Sequence, residues 1–228
     1  MLAVLILRLK MRISATILAL FLPIAASATD SLPAQYSRKC IATPAVGKDK
    51  YPGQKAIIKS NNLALPTGKS TYPETGQRVV ISGHVLDTNC VPVSDAIVEI
   101  WQAGPDGKYV SPTLSKRLDP YPEFVGSGRV VTDNLGKFSF VTLFPGAENE
   151  TSAPHINVHV VRDGFPALNT RLFFAGDKRN DGDKILGKVA PENRHQVSGT
   201  VAPSGAAEDA IAVKWDIVLG GTNSFRKY

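Results

Sequence analysis

The chain has 228 residues, of which 43% are hydrophobic and 20% charged, and its formal net charge is +6. This composition is that of a globular protein, and so mild a charge, without runs of Lys and Arg among aromatics, argues against a nucleic-acid partner. The two cysteines have no paired spacing, which excludes a cysteine-rich zinc site.

The N-terminal segment, 1–28, has the pattern of a secretory signal. A basic segment comes first and contains Arg8, Lys10 and Arg12. An apolar run over 13–25 follows, and Ala26-Ser27-Ala28 places small residues at a cleavage site. A membrane anchor is the alternative, but the run of about 13 residues is shorter than the roughly 20 that span a bilayer. We expect cleavage after Ala28, with Met1 or Met11 as the start, and export to the periplasm or the medium without membrane contact.

The mature chain, residues 29–228, keeps 23 basic and 20 acidic residues, a net charge of +3. Its size suits one domain. Residues 29–77 are rich in Pro, Gly, Lys and Ser and have little periodicity, which predicts an extended N-terminal arm with a turn of helix at 33–36. In an oxidising compartment Cys40 and Cys90 are expected to form a disulfide between this arm and the first strand, with two free buried thiols as the alternative.

From residue 78 onward, β-branched and apolar segments alternate with Gly, Pro and Asn turns. The predicted strands are 79–86, 96–102, 128–133, 137–143, 155–162, 170–174, 197–201 and 210–219. Gly83 predicts a bulge in the first of them. Strands at this spacing, with no long 3.6-residue period, predict an all-β fold, a β-sandwich over 78–228.

Several motifs follow one another in a fixed order. They are Val85-Leu86-Asp87, Ile97-Val98-Glu99-Ile100-Trp101-Gln102-Ala103, Gly107-Lys108-Tyr109, Phe144-Pro145-Gly146, Pro154-His155-Ile156-Asn157 and Phe173-Phe174-Ala175-Gly176-Asp177. This succession, from Gly76 to Trp215, resembles the intradiol ring-cleavage dioxygenases, in particular protocatechuate 3,4-dioxygenase. The resemblance implies a β-sandwich, in agreement with the strand prediction, and cleavage of a catechol-type aromatic substrate with O2.

Catalytic members of this family hold a non-haem ferric ion with two tyrosines and two histidines, donors that suit Fe(III). Tyr109 and His155 match the first tyrosine and the first histidine. Glu148 stands at the second tyrosine position and Asn157 at the second histidine position. Arg171 replaces a glutamine that helps to steady charge on the ring, and a second such residue, an arginine, is also replaced.

The altered ligand set leaves two interpretations open. Tyr109, Glu148 and His155 could form a three-ligand metal site, since a carboxylate can replace a phenolate. The alternative is no metal at all, with these side chains hydrogen-bonded to their neighbours. His159, on the same strand face as His155, could reach a shifted metal, but a core or surface histidine is the simpler interpretation. Arg171 is expected to contact a substrate oxygen, or else to pair with an acidic neighbour on the sheet.

Three further groups of residues have structural interpretations. Glu99 and Trp101 are expected to pack and hydrogen-bond within a buried strand, and Arg129 to pin a turn. The polar loop 177–183 could bind Ca²⁺, but it lacks the bidentate Glu of an EF-hand, so a solvated acidic loop is expected.

Two function classes follow. The first is an exported intradiol dioxygenase with an altered iron shell. The second is a non-catalytic partner or exported binding module, because 153–157 and 170–174 resemble the family's α subunit, which carries a vestigial site and completes the pocket of an iron-carrying β subunit. The expected partners are a catechol-type small molecule and either further copies of this chain or an iron-carrying homologous subunit.

Overall fold

A computed structural model describes residues 39–47, 57, 59–65, 76–110, 124–202 and 210–222. The predicted signal and the predicted helical turn at 33–36 lie outside these ranges. Among the described residues, no helix is long and apolar enough to cross a membrane.

The described residues form nine β-strands, and each predicted strand is present. Their bounds are β1 Arg78–Leu86, β2 Ile97–Trp101, β3 Ser127–Val131, β4 Lys137–Leu143, β5 His155–Val161, β6 Leu168–Phe174, β7 Ser198–Ala202, β8 Ala210–Lys214 and β9 Ile217–Val218. The predicted strand 210–219 is therefore two strands, β8 and β9. The predicted all-β fold is confirmed.

The strands pair in the order β3-β2-β5-β6-β7-β8-β1-β4, and β9 adds to β1. Strands β4, β1 and β8 form one layer, and β3, β2, β5 and β6 form the other. The short β7 joins the layers, because it pairs with β6 on one side and with β8 on the other. Apolar side chains from both layers, such as Ile81 and Phe140 from one and Val98 and Val158 from the other, share one core. This arrangement is a sandwich in which β3 and β4 are the edge strands.

A segment of the predicted arm, residues 60–63, pairs with both edge strands. Leu63 N donates to Val141 O on β4 (2.8 Å), and Val141 N donates to Asn61 O (2.7 Å). On the other layer, Arg129 N of β3 donates to Ser60 O (3.0 Å). The Leu63 side chain is fully buried in the shared core. Residues 60–63 therefore bridge both edge strands and satisfy backbone groups that edge strands otherwise expose.

A second stretch of the arm is fixed by the disulfide. Cys40 and Cys90 are bonded, with their Cα atoms 5.2 Å apart. Thr43 N donates to Val218 O and Val218 N donates to Thr43 Oγ1, both at 2.9 Å, so this stretch runs beside β9. Cross-linking a loop of this length stabilises a fold by about 4 kcal/mol in the chain-entropy account.

Gly83 has a different role from the predicted one. The prediction of a bulge is wrong, because β1 and β4 pair without interruption from Arg78 to His84. A Cβ at Gly83 would lie 1.7 Å from the Trp215 carbonyl oxygen, so only glycine allows the chain after β8 to pass this close.

Three 3-10 helices that the sequence does not predict lie between β6 and β7. They are Lys178–Gly182, Leu186–Lys188 and Pro191–Val197. Leu186, Val189 and Val197 pack with Ala153 and Phe173 in a second apolar cluster. Segments this short cannot show a helical period, which is why the pattern missed them. This cluster covers the end of the second layer where β5 begins.

We predict that Leu63→Ala lowers the free energy of unfolding by about 2–5 kcal/mol, the cost of a cavity in a well-packed core. Denaturant unfolding measures the change. Leu135→Ala is the matched control, because Leu135 is 56% exposed, and its effect should stay within about 0.5 kcal/mol. Equal effects of the two substitutions would show that residues 60–63 do not close the sandwich.

Candidate functional site

Three buried polar or amphipathic side chains lie side by side on the outer face of the second layer. Asn157 on β5 stands opposite Trp101 on β2 and Arg171 on β6. Asn157 is 1% exposed and Arg171 is 6% exposed. Because side chains alternate along a strand, their neighbours Ile100 and Ile156 point the other way, into the core. β5 is thus buried on both faces, one apolar and one polar.

Two loops bring Tyr109 and Glu148 to this face. The loops pack backbone against backbone at glycines. A Cβ at Gly107 would lie 2.2 Å from Ala147 O, and a Cβ at Gly146 would lie 2.4 Å from Pro105 O. Gly107 also has a φ of +77°, which favours glycine. These contacts explain why the motif before Tyr109 and the Pro-Gly turn before Glu148 both require glycine.

His155 begins β5 and is buried, at 4% exposed. Its Nδ1 lies 2.9 Å from the Ala153 carbonyl oxygen, and its ring centroid lies 5.8 Å from that of Phe173. A carbonyl oxygen can only accept a hydrogen bond, so Nδ1 carries the proton. The neutral imidazole therefore presents the lone pair of Nε2, the form in which histidine binds metals.

The four positions at which the resemblance implies metal ligands lie close together. Tyr109 Oη donates to Glu148 Oε1 (2.5 Å), and Asn157 Nδ2 donates to Tyr109 Oη (2.9 Å). His155 Nε2 lies 3.2 Å from the same Glu148 oxygen. The structure therefore brings Tyr109, Glu148, His155 and Asn157 into one cluster at the edge of the sheet.

The contact between His155 and Glu148 favours a positive charge between the two side chains. With Nδ1 protonated, the neutral ring directs a lone pair at Glu148 Oε1, which also carries lone pairs. Two such atoms at 3.2 Å repel unless a cation lies between or beside them. That cation is either a proton, which makes His155 an imidazolium, or a metal ion.

The donor set fits a metal ion. A phenolate, a carboxylate and an imidazole suit Fe(III) and other first-row metals. Neighbouring donors that each lie about 2.1 Å from one ion are about 3 Å apart, close to the separation of His155 Nε2 from Glu148 Oε1. Asn157 Oδ1 is buried and has no hydrogen-bond partner among the described residues, so it is a candidate for a fourth donor, the third oxygen of the set. The set contains a tyrosine and only two residues of the types His, Cys, Asp and Glu. In the described part of the chain, no cluster of three or more residues of those four types occurs.

The remaining polar residues on this face lie one row farther along the strands. His159 stands opposite Glu99 and Asn169, a row away from Asn157. Glu99 accepts from Arg129 Nε at 2.7 Å. Arg129 is therefore a strand residue paired across the sheet, and the expectation that it pins a turn is wrong. The structure does not bring His159 to the cluster of Tyr109, Glu148 and His155.

The loop 177–183 is not the solvated acidic loop that we expect from the sequence. Asp177 caps a 3-10 helix and accepts from Arg179, whose guanidinium lowers the pKa of the Asp177 carboxyl, while Asp177 raises the pKa of Arg179. Asp181 is exposed, but Asp183 is buried, at 3% exposed. The acidic residues therefore point in different directions and do not converge on a calcium site.

The sequence missed two features of the site. Phe173, which flanks the His155 ring, belongs to a motif that we interpreted only as a strand. The Ala153 carbonyl, which fixes the imidazole, is a backbone group without a signal of its own. The alternation of β5 and β6 could have placed Phe173 beside His155, because the two residues are cross-strand neighbours.

Comparisons with known proteins agree on one family. The profile of a family described as "Dioxygenase" matches residues 53–221. A putative dioxygenase of Rickettsia conorii is 34% identical over 175 residues, which cover 72% of this chain and 79% of that protein. The β chain of protocatechuate 3,4-dioxygenase from Burkholderia cepacia is 32% identical over 157 residues, which cover 65% of this chain and 67% of that one.

A solved structure shows the same fold. An intradiol ring-cleavage dioxygenase from Tetranychus urticae matches with a TM-score of 0.62 and 22% identity, over 81% of this chain and 98% of that chain. The prediction of an intradiol dioxygenase core is therefore confirmed at the level of the fold.

We predict that Tyr109→Phe lowers the free energy of unfolding by about 1–3 kcal/mol, because the buried Asn157 amide loses its acceptor. In a double-mutant cycle with Asn157→Ala, the coupling should reach at least about 0.5 kcal/mol. The matched cycle of Tyr109→Phe with Glu150→Ala, an exposed residue of the same loop as Glu148, should be additive. Additivity in both cycles would contradict the hydrogen-bonded cluster.

Proposed function

The chain belongs to the intradiol ring-cleavage dioxygenase family, and from this premise we propose that it is a metal-dependent dioxygenase for catechol-type aromatic substrates. Tyr109, Glu148 and His155 are the proposed metal ligands, and Asn157 Oδ1 is a further donor at the site. The family typically uses non-haem Fe(III), which is the proposed cofactor.

One observation supports this proposal above the others. The Ala153 carbonyl holds His155 with its Nε2 lone pair directed at a carboxylate oxygen 3.2 Å away, and Tyr109 Oη meets that same oxygen. A metal ion held here by Tyr109, Glu148 and His155 would remove the repulsion between these atoms. The arrangement therefore supports a cation at these positions, although Glu148 and Asn157 differ from the residues that the resemblance implies.

When bound, the ferric ion would be chelated by the two oxygens of the catechol and would activate the substrate toward O2. The chain's own residues handle the protons and the orientation. The phenol of Tyr109 must lose its proton to become a ligand, and Glu148 Oε1, which accepts a hydrogen bond from that hydroxyl at 2.5 Å, is placed to take it. The Glu148 side chain is 29% exposed, so it can pass the proton to water.

Arg171 and Trp101 are proposed to orient the substrate. Both lie on the same buried face as Asn157, in the same cross-strand row. The guanidinium of Arg171 carries a permanent positive charge and can bind a phenolate or carboxylate oxygen of the aromatic substrate. The Trp101 ring, 7% exposed and on the opposite side of Asn157 from Arg171, would supply an apolar surface.

A second candidate function is a non-catalytic subunit. The observation in its favour is that a protonated His155 would pair with Glu148, so that Tyr109 and Asn157 complete the cluster without a metal. The α-like motifs at 153–157 and 170–174 also favour this candidate. Such a chain would act by binding an iron-carrying homologous subunit, or as an exported binding module.

We also propose that the protein is exported. The signal pattern of segment 1–28 supports this, and so does the Cys40–Cys90 disulfide, a bond typical of oxidising compartments. The periplasm and the medium are both compatible with these features.

We predict that Glu148→Ala weakens Fe(III) binding by more than the roughly 10–100-fold that is typical of losing a hydrogen-bond partner of a metal ligand. Competition with a chelator measures the affinity. The physical reason is the loss of one anionic donor. Glu150→Ala, the matched control on the same loop, should bind like the unaltered protein.

The outcome separates the two candidates. Strong binding that falls only with Glu148→Ala supports the metal enzyme. No binding by the unaltered protein would contradict it and favour the non-catalytic subunit.

For export, we predict that the chain made with its signal segment in a bacterial host is recovered outside the cytoplasm with Thr29 as its N-terminus. Mass spectrometry of the purified chain identifies that terminus. Replacing Ala26 and Ala28 with Lys should block cleavage, because a signal peptidase requires small residues there. An uncleaved chain in the cytoplasm would overturn the proposal.

A further inference from the structure

Asp183 differs from Asp181, the exposed acidic residue of the same loop. Its side chain is buried, and both carboxylate oxygens accept backbone hydrogen bonds. Oδ1 accepts from Ile185 N and from Leu186 N, each at 2.8 Å. Oδ2 accepts from Ala153 N at 2.7 Å. A buried carboxylate is costly unless its oxygens are satisfied in this way, so the position of Asp183 is fixed from three sides.

The contact with Ala153 joins this carboxylate to the metal-ligand cluster. Ala153 is fully buried, and its own carbonyl accepts from His155 Nδ1 at 2.9 Å. Pro154, between the two, has a restricted backbone φ angle and no N–H of its own. The chain of contacts from Asp183 through Ala153 to His155 therefore contains few adjustable torsions.

We infer that Asp183 is the positioning residue of His155, which holds the imidazole through the Ala153 backbone with Nδ1 protonated and Nε2 available to a metal. This inference rests on the proposed function for its purpose, since a metal ligand needs that tautomer. Asp183 touches neither the substrate nor the reacting atoms. It acts by fixing Ala153 against the 3-10 helices, so that the carbonyl stays in line with the His155 ring.

The packing around Asp183 supports the same role. Leu186, whose N–H binds Asp183, lies in the second apolar cluster with Ala153 and Phe173. The Phe173 ring lies against the His155 ring, with 5.8 Å between their centroids. One carboxylate thus ties together the backbone that binds Nδ1 and the apolar side chains that limit the tilt of the ring.

The test compares Asp183→Asn with Asp181→Asn, a matched change at an exposed position of the same loop. An asparagine has one acceptor oxygen and an NH2 group that only donates, so it cannot accept from all three backbone N–H groups. The first readout is the tautomer of His155 in the metal-free protein, from the nitrogen chemical shifts of ¹⁵N-labelled histidine at a pH where the ring is neutral. His155 is identified by its loss in His155→Gln.

We expect the Nδ1–H form in the unaltered protein and in Asp181→Asn, and a mixture of tautomers in Asp183→Asn. The second readout is the affinity for Zn²⁺, which Asp183→Asn should lower by about 10–100-fold, as loss of an outer partner does. An Nε2–H tautomer in the unaltered protein would overturn the inference, whether or not the variant folds. So would an unchanged Nδ1–H tautomer in folded Asp183→Asn.

The two readouts keep this inference distinguishable from the proposed function. If the unaltered protein binds no metal but Asp183→Asn still gives a mixture of His155 tautomers, the positioning role stands and the proposed metal function fails. If metal binds and the tautomer does not respond to Asp183, the positioning role fails and the metal function stands.

Discussion

The burial of β5 on both faces is the constraint on which the rest of the structure depends. One face completes the core of the sandwich through residues such as Ile156 and Val158, and the other carries His155 and Asn157 into the site. A shift of one residue in the register would exchange the two faces and place polar groups in the core. The same hydrophobic packing that stabilises the sandwich therefore sets the position of the site. Glu148 and Asn157, which stand where the resemblance implies a tyrosine and a histidine, lie outside this core, so differences there leave the sandwich intact.

The charges and donor atoms of the cluster determine which ion it can bind. The Ala153 carbonyl fixes one nitrogen of His155, and Glu148 faces the other, so the site favours a cation at that point. In the proposed metal site, Glu148 would supply an anionic oxygen donor where the resemblance implies a tyrosine, and it accepts a hydrogen bond from Tyr109. Asn157 would supply an amide oxygen where the resemblance implies a histidine. Such a donor set would be richer in oxygen than two tyrosines and two histidines, which favours hard metal ions.

The sequence predicted the strands well, because each alternates or carries β-branched runs between turn residues. It also placed Tyr109, Glu148, His155 and Asn157 in one site, through motif order rather than through any pattern of their own. It failed where tertiary contacts decide. Leu63 lies in a segment without periodicity, yet it closes the core. Gly83 suggested a bulge, but a glycine is needed there because the Trp215 carbonyl, which is remote in the chain, lies against it. Asp183 looked like its solvated neighbours, because nothing local shows which acidic side chain turns inward.

The most direct test of the metal site is made on the mature protein, residues 29–228, purified from an oxidising compartment. Fe(III) is added anaerobically, the bound metal is measured, and the visible spectrum is recorded with and without catechol. The account predicts stoichiometric iron and a tyrosinate-to-iron absorption band that shifts when catechol binds and disappears in Tyr109→Phe. No bound iron and no band would contradict it, and the cluster would then be a proton-bridged remnant in a non-catalytic subunit.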